Sequence, residues 1–569
     1  MQFGKNKVKV FDIEAKDWVN FYLGKIYDGE TILTFNTLDA LFNYMINDAD
    51  TIYYAHNAGK YDCLFFIEYA EKINYTDIRP YRLPKGSKII RLDMGKCIIF
   101  DSLNLLPKSL AVLSEIYTGI KGEKYIDGRT GEMIRKLKFD YSKIGIKKYD
   151  KELNKYADND VKLLYELLEK FNTSVEKNYD CHIGITLASL AYKIFKKNFR
   201  DKKRDLITRN NEFVRQAYFG GRCEIFKFLG KNIRYYDINS CYPFVMQKSL
   251  PIGIACFESR HKNALRIIMK TEYLGFADIT IRAKYMYIPV LPHKGKKLIF
   301  PCGTFRGTYT LTEIRYALNT GNYEILNIHD MMYYKNSYPV LAEFANDIYK
   351  ERMAGNEYEK LIYKNIGNSL YGKFAELPLK TKYARITSKE PLDYIGWLPW
   401  NGNYYTKDVL EYDDSRVAWS AYITSYARLE LLKYLNDKTL YCDTDGIFTE
   451  DNFDKFCGTK LGQLKLEGKF DNCHFILPKI YTAKNKKETL RKAKGFGKIE
   501  TDERFNRLIE KEQIDYEHLL CFAEMVKQER VKMERVLRSK QILSEYDKRL
   551  IIGNDTIPLF LNTFIYNNG

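Results

Sequence analysis

The 569-residue chain has no CxxC pair, no apolar run near the ~20 residues that cross a bilayer, no internal repeat and no low-complexity tract. The first absence removes zinc ribbons and disulfide frameworks; eleven scattered cysteines, an odd number, fit a reducing compartment. The second removes a membrane helix, so no membrane partner is expected. Without repeats or biased tracts, and with 45% hydrophobic and 29% charged residues, the chain reads as globular and too long for one core. A strand pattern begins near residue 8, so no transit segment is expected.

What the chain does have is positive charge and aromatic rings. Lys and Arg outnumber Asp and Glu by 91 to 73, a net charge of +18. That balance favours a polyanionic partner, although a well-solvated basic surface would leave the same count. The 47 Tyr and 33 Phe, interleaved with Lys, suit stacking on bases as well as a core. Abundant Lys, Asn, Ile and Tyr hint at AT-rich coding DNA.

Strand and helix patterns alternate up to about residue 175, with strands at 8–17 and 96–103 and helices at 38–47, 61–73 and 150–172. This reads as one α/β domain. Helical patterns recur at 183–198, 341–375 and 416–435, with strand-rich pieces at 233–248, 275–300 and 440–450 between them. The stretch 376–412 reads as an irregular insertion, and a basic helical tail is expected from about 496.

Several acidic residues stand inside apolar segments, where an unpaired charge is costly. In KTLYCDTDGIFTED (438–451), Asp443 and Asp445 interrupt Leu440, Tyr441, Ile447 and Phe448. Residues i and i+2 of a strand share a face, so these carboxylates either sit solvated on a tight turn or are held together by cations. FDIEA repeats the pattern with Asp12 and Glu14, and AHNAGKYDCLFFI puts Asn57 and Asp62 at the mouth of an apolar helix. In NKYADNDVKLLYELL, Tyr156 and Asp160 lie one turn apart on one helix face. RYYDINSCYPFVM carries Asp237 ahead of Tyr242 and Pro243, and KLIYKNIGNSLYGKFAE sets Lys364, Asn368 and Tyr371 on one helical stripe. Lys364 suits a triphosphate as a movable point charge, and Tyr371 a nucleobase by stacking. A solvated lysine beside core aromatics is the plainer reading of that stripe.

Asp12, Glu14, Asp62 and Asp160, with Tyr156 one turn before the last, resemble in order and spacing the DEDD-type 3′–5′ exonuclease that proofreads for DNA polymerases. The resemblance implies an RNase H-like fold, two Mg²⁺ ions on the four carboxylates and Tyr156 orienting the attacking water. It also implies His56, Asn57, Ser102 and Leu103 along a single strand. DxxSxYP, KxxxNSxYG and YxDTD, in that order, resemble motifs A, B and C of the family B DNA polymerases. A right-hand polymerase of palm, fingers and thumb is then expected. Asp237 and Asp445 would hold two more Mg²⁺ (or Mn²⁺) ions beside Asp443, and Tyr242 would exclude a 2′-hydroxyl.

Three smaller marks narrow the resemblance: Tyr218, Gly220 and Gly221 in AYFGGRCEIF, Thr424 and Arg428 in YITSYARLE, and Lys479 and Tyr481 in LPKIYTA. They are similar to the template- and primer-gripping motifs of protein-primed family B polymerases from small phages, adenoviruses and linear plasmids. Asp237 and Lys364 are 127 residues apart, and Tyr371 and Asp443 are 72 apart, which leaves room for that group's two insertions. The implied map is an exonuclease domain at 1–175, palm at 176–257 and 413–495, fingers at 341–375 and thumb at 496–569. The insertions fall at 258–340, facing a terminal protein, and at 376–412, serving processivity and strand displacement. The implied partners are primer–template DNA, dNTPs, a terminal protein that primes synthesis and a single-strand-binding protein. The enzyme is expected to be a monomer in a host cytoplasm, or in a mitochondrion if an organellar linear plasmid carries it.

The match departs from the family pattern in a few places. Gly446 follows motif C where a serine is usual, which leaves the metal ligands in place, and Cys241 stands for a leucine in motif A. The exonuclease lysine is expected at Lys136, with Lys121 a rival, and a second triphosphate-binding cation at Arg352 rather than Lys350. Two other readings stay open: a family B enzyme that extends an ordinary primer, and a catalytically dead nucleic-acid scaffold. The scaffold is disfavoured because every carboxylate of both sets is present.

Overall fold

The computed structural model describes residues 1–82, 88–118, 139–207, 211–376, 415–496, 502–510, 512–527, 532–541 and 546–562, with short strand segments between 124 and 135 and between 379 and 410. In the N-terminal lobe a mixed sheet runs in the order Ile32–Phe35, Asn20–Tyr27, Asn6–Lys16, Thr51–Ala55, Cys97–Asp101, Ile89–Met94, Ile78–Arg82. Its three central strands are parallel and the outer ones antiparallel. Alternation along Asn6–Lys16 divides the core. Phe11 and Ile13 pack with the helices Leu38–Asn47 and Asp62–Lys72, while Val8 and Val10 pack with the helix Asp150–Tyr179. Asp12 and Glu14 continue the second face, so the pleat aims both at that long helix. The helix buries Leu153, Ala157, Leu164, Leu168 and Phe171 as one stripe; Asp150 and Glu152 in its first turn and Lys177 in its last complement its dipole.

A second, antiparallel sheet runs in the order Cys223–Ile225, Thr439–Asp443, Gly446–Thr449, Leu229–Ile238, Leu464–Leu477, Ile480–Lys484, Thr489–Ala493. The helix Val417–Leu432 is buried on all sides, its apolar residues spread around the whole circumference. Its polar tips bond to neighbouring backbone: Trp419 Nε1–H donates to Pro251 O at 2.8 Å and the Tyr426 hydroxyl to Ser249 O at 2.9 Å. The helical stretch expected at 341–375 is a hairpin of two helices, Ala342–Ala354 and Glu357–Phe374. Asn356 breaks it by capping the second helix, its side chain accepting from Glu359 N–H while Glu359 accepts from Asn356 N–H. A third sheet is ordered Cys256–Phe257, Tyr323–Tyr334, Leu274–Ala283, Cys302–Thr310, and Phe560–Asn562 joins its edge in parallel.

The tail expected to be helical is largely β-hairpin. Ile514–Leu519 pairs with Arg535–Lys540 and Arg549–Ile552 with Asp555–Pro558, among the short helices Asp502–Ile509 and Phe522–Lys527. Tertiary contacts override local propensity here, for Leu520, Phe522, Met525 and Met533 are buried in the same core as Phe11 and Phe66. Most of 376–412 lies outside the described residues. All eleven cysteines are free, and no helix among the described residues is long and apolar enough to cross a membrane.

Two candidate carboxylate sites

The DTD stretch is a hairpin rather than one strand. Thr439–Asp443 returns as Gly446–Thr449, with Asp443 opposite Gly446 and Thr444 in the left-handed region at φ 66°. The shared face expected of Asp443 and Asp445 is therefore lost at the turn. Asp237 pairs in register with Gly446, and Ile238 N–H donates to Asp445 O at 2.9 Å, so the strand bearing Asp237 lies beside the turn. Gly221 permits this packing, because a Cβ there would stand 2.8 Å from the Thr444 side chain. The Arg222 carbonyl then accepts from Thr444 N–H at 2.7 Å.

Like charges gathered here are uncomfortable. Burial, then Asp445 and Glu467, push Asp237 up to about 7 against the pull of Lys364 and Lys465. Burial, then Asp443, push Asp445 up to about 6. Asp443 is relieved differently: Lys479 Nζ donates to both its carboxylate oxygens, at 2.7 and 3.0 Å. Among the described residues no three His, Cys, Asp or Glu side chains gather closely enough to hold a metal ion by themselves.

Asp443, Asp445 and Lys479 line a cleft of about 710 Å³ that also takes in Tyr242, Asn368, Tyr371 and Tyr481. Tyr242 and Tyr371 stack with ring centroids 4.2 Å apart and planes 7° apart, joining the segment after Asp237 to the helix Glu357–Phe374. Lys364 is exposed on that helix, close enough to Asp237 and Asp445 to draw both carboxylates down. Arg352 donates to the Ser240 hydroxyl at the motif A turn. Arg428 and Thr424 are buried, the Arg428 side chain 1% exposed. The Arg428 guanidinium holds Glu313 at 2.8 Å and donates to Phe219 O at 2.8 Å and Gly220 O at 3.0 Å. It thus fastens the Tyr218–Gly221 loop from behind.

In the N-terminal lobe Glu14, Asp62, Asp160 and Tyr156 are all buried where the strand meets the two helices. Ile13 N–H donates to Asp62 Oδ1 at 3.2 Å, tying the Asp62 helix to the Asp12 strand. Burial, then Asp12, Asp160 and Asp62, hold Glu14 well above the usual carboxylate range; burial, then Asp12, do the same to Asp62. His56 Nδ1 lies 3.0 Å from Ser102 Oγ and its Nε2 2.8 Å from Lys108 O. Lys136 and Lys121 lie outside the described residues.

Sequence reasoning missed three residues. Asp101, buried, accepts from Asn57 N–H and Leu103 N–H, each at 2.9 Å, and so fixes both loops expected to meet a strand. It ends an apolar strand, the signal that exposed Asp12, and was legible in the same way. The Tyr141 hydroxyl is 2.8 Å from that of Tyr156. Glu467 acts on Asp237 from the neighbouring strand, with nothing in its own segment to mark it.

A family model for DNA polymerase type B, organellar and viral, matches residues 43–452. The chain is 27% identical over 618 residues to a probable DNA polymerase of Podospora anserina, covering 86% of this chain and 51% of that protein. It is 25% identical over 486 residues to the DNA-directed DNA polymerase of Enterobacteria phage PRD1, covering 78% of this chain and 77% of that protein. It spans 40–51% of the length of the probable DNA polymerases of Podospora anserina, Ascobolus immersus and Neurospora intermedia. A structure of Phi29 DNA polymerase complexed with primer-template DNA and incoming nucleotide substrates matches with TM-score 0.72 at 19% identity, covering 94% of this chain and 100% of that one. The fold is accordingly an exonuclease-type α/β domain followed by a right-hand palm, fingers and thumb.

Proposed function

The chain belongs to the organellar and viral type B DNA polymerases, and on that premise we propose that it extends a DNA primer along a template and trims 3′ ends at a second site. The observation that carries the synthesis half is the register of Asp237 against the Asp443–Asp445 turn, a turn that itself lines a cleft walled by Tyr242, Asn368 and Tyr371. The donor set suits magnesium: its ligands are hard carboxylate oxygens, and Asp237 and Asp445 are raised by burial and then by neighbouring carboxylates, a cost that a dication would relieve. Asp237 and Asp445 would hold it, Asp443 joining when Lys479 gives way. Magnesium commonly takes one or two carboxylates and completes its shell from substrate phosphates and water. Divalent ions, when bound, would activate the attacking oxygen and neutralise phosphate charge at both sites.

The side chains supply the rest. Lys364 meets the triphosphate charge, Tyr371 stacks on the base, and the Tyr242 ring bars a ribose 2′-hydroxyl. In the N-terminal lobe Asp12, Glu14, Asp62 and Asp160 form the trimming site, with Tyr156 orienting water and His56, Asn57, Ser102 and Leu103 along the strand. Initiation from a terminal protein that meets the third sheet belongs to the same proposal. The test is a 5′-labelled primer on a longer template with Mg²⁺. Extension with dNTPs and shortening without them support both halves; binding with neither reaction refutes the reading.

A further inference from the structure

Tyr235 stands two residues before Asp237 on one strand and shares its face. Its ring lies flat on Phe448, its cross-strand partner, with centroids 4.2 Å apart and planes 6° apart. From there it leans over Gly446. A Cβ at 446 would lie 3.1 Å from Tyr235 Cε2 and 3.2 Å from its hydroxyl oxygen. The phenol therefore fills the space a side chain at 446 would take, beside Asp445. Among the described residues its hydroxyl has no hydrogen-bond partner, and the residue lines the cleft with Asp443, Asp445 and Tyr481.

A phenol is a donor at neutral pH, and the backbone of a DNA end presents oxygen acceptors on its sugar and phosphates. We propose that Tyr235 positions the 3′-terminal nucleotide of the primer, donating its hydroxyl hydrogen to a sugar or phosphate oxygen of that nucleotide. Phe448 fixes the ring from below, and the missing side chain at Gly446 gives it room. The inference rests on the synthesis reading above.

Steady-state extension by Tyr235→Phe tests it, since that change keeps the stack and removes the donor. The KM for primer–template should rise about tenfold with kcat nearly unchanged. The KM for dNTP and the rate of single-strand shortening should stay at their parental values, the latter showing an intact fold. Unchanged extension, or a change confined to dNTP, overturns the proposal. Gly446→Ser should lower extension by pressing on the ring, and Tyr235→Val with Gly446→Ser should lose less than the product of the two single losses. Independent losses overturn the packing on which the assignment depends. A parent chain that does not extend at all overturns the synthesis reading, and this proposal with it.

Discussion

Burying like charges makes the cleft responsive to pH and to cations. Asp237 at about 7 and Asp445 at about 6 stand above the ordinary carboxylate value of 3.8. A native state that binds protons more tightly than the unfolded chain loses stability as pH rises between those values, from about 4 to about 7. Without divalent ions the melting temperature should bear this cost at pH 8, and magnesium should offset it. Asp237→Asn should raise metal-free stability at pH 8 by roughly 2 kcal/mol and have little effect at pH 4. Equal metal-free melting temperatures for variant and parent at pH 8 would contradict a raised Asp237 carboxylate. Tyr242 offers a second test at this scale. Tyr242→Val, which removes the ring stacked on Tyr371, should raise ribonucleotide incorporation relative to deoxyribonucleotide by about an order of magnitude. An unchanged ratio would assign discrimination elsewhere. Asp12, Asp62 and Asp237 were readable because an acid in an apolar segment needs a reason. Tyr235 was not, since its meaning depends on the absent side chain of Gly446 on another strand.

Among elements, the buried helix Val417–Leu432 shows how a motif can serve a site without facing it. The family resemblance implies that Thr424 and Arg428 touch DNA, yet Arg428 is spent on Glu313 and on the Phe219 and Gly220 carbonyls. Arg428→Ala should leave Glu313 buried without its partner and cost about 3–5 kcal/mol, lowering the melting temperature and both activities together. A variant that melts like the parent but binds duplex weakly would instead make Arg428 a DNA contact. Local signals anticipated most helices of the N-terminal lobe, because their apolar stripes and caps are intrinsic. They missed the break at Asn356 although its capping pair with Glu359 was visible, and they misassigned the tail. There Lys, Arg and Glu favour helix locally, while burial of Leu520, Phe522, Met525 and Met533 in the N-terminal core decides otherwise.

At the scale of the whole molecule, the tail ties three bodies together. Met533 N–H donates to Glu68 in the N-terminal lobe at 3.0 Å, Tyr546 bonds to Ile225 of the central sheet, and Phe560–Asn562 extends the third sheet beside Cys302–Thr310. Such closure comes from contacts hundreds of residues apart, which no window of sequence reveals. The order of motifs along the chain, by contrast, was fully legible, and so was the division into two carboxylate sets. That division is the central claim, and one gel tests it most directly. The parent, Asp445→Ala, and the double variant Asp12→Ala with Glu14→Ala are each given a 5′-labelled primer–template and Mg²⁺, with and without dNTPs. Asp445→Ala should shorten the primer and never extend it, while the double variant should extend and never shorten. Loss of both reactions in both stably folded variants, or extension by Asp445→Ala, would contradict two separate sites in one chain.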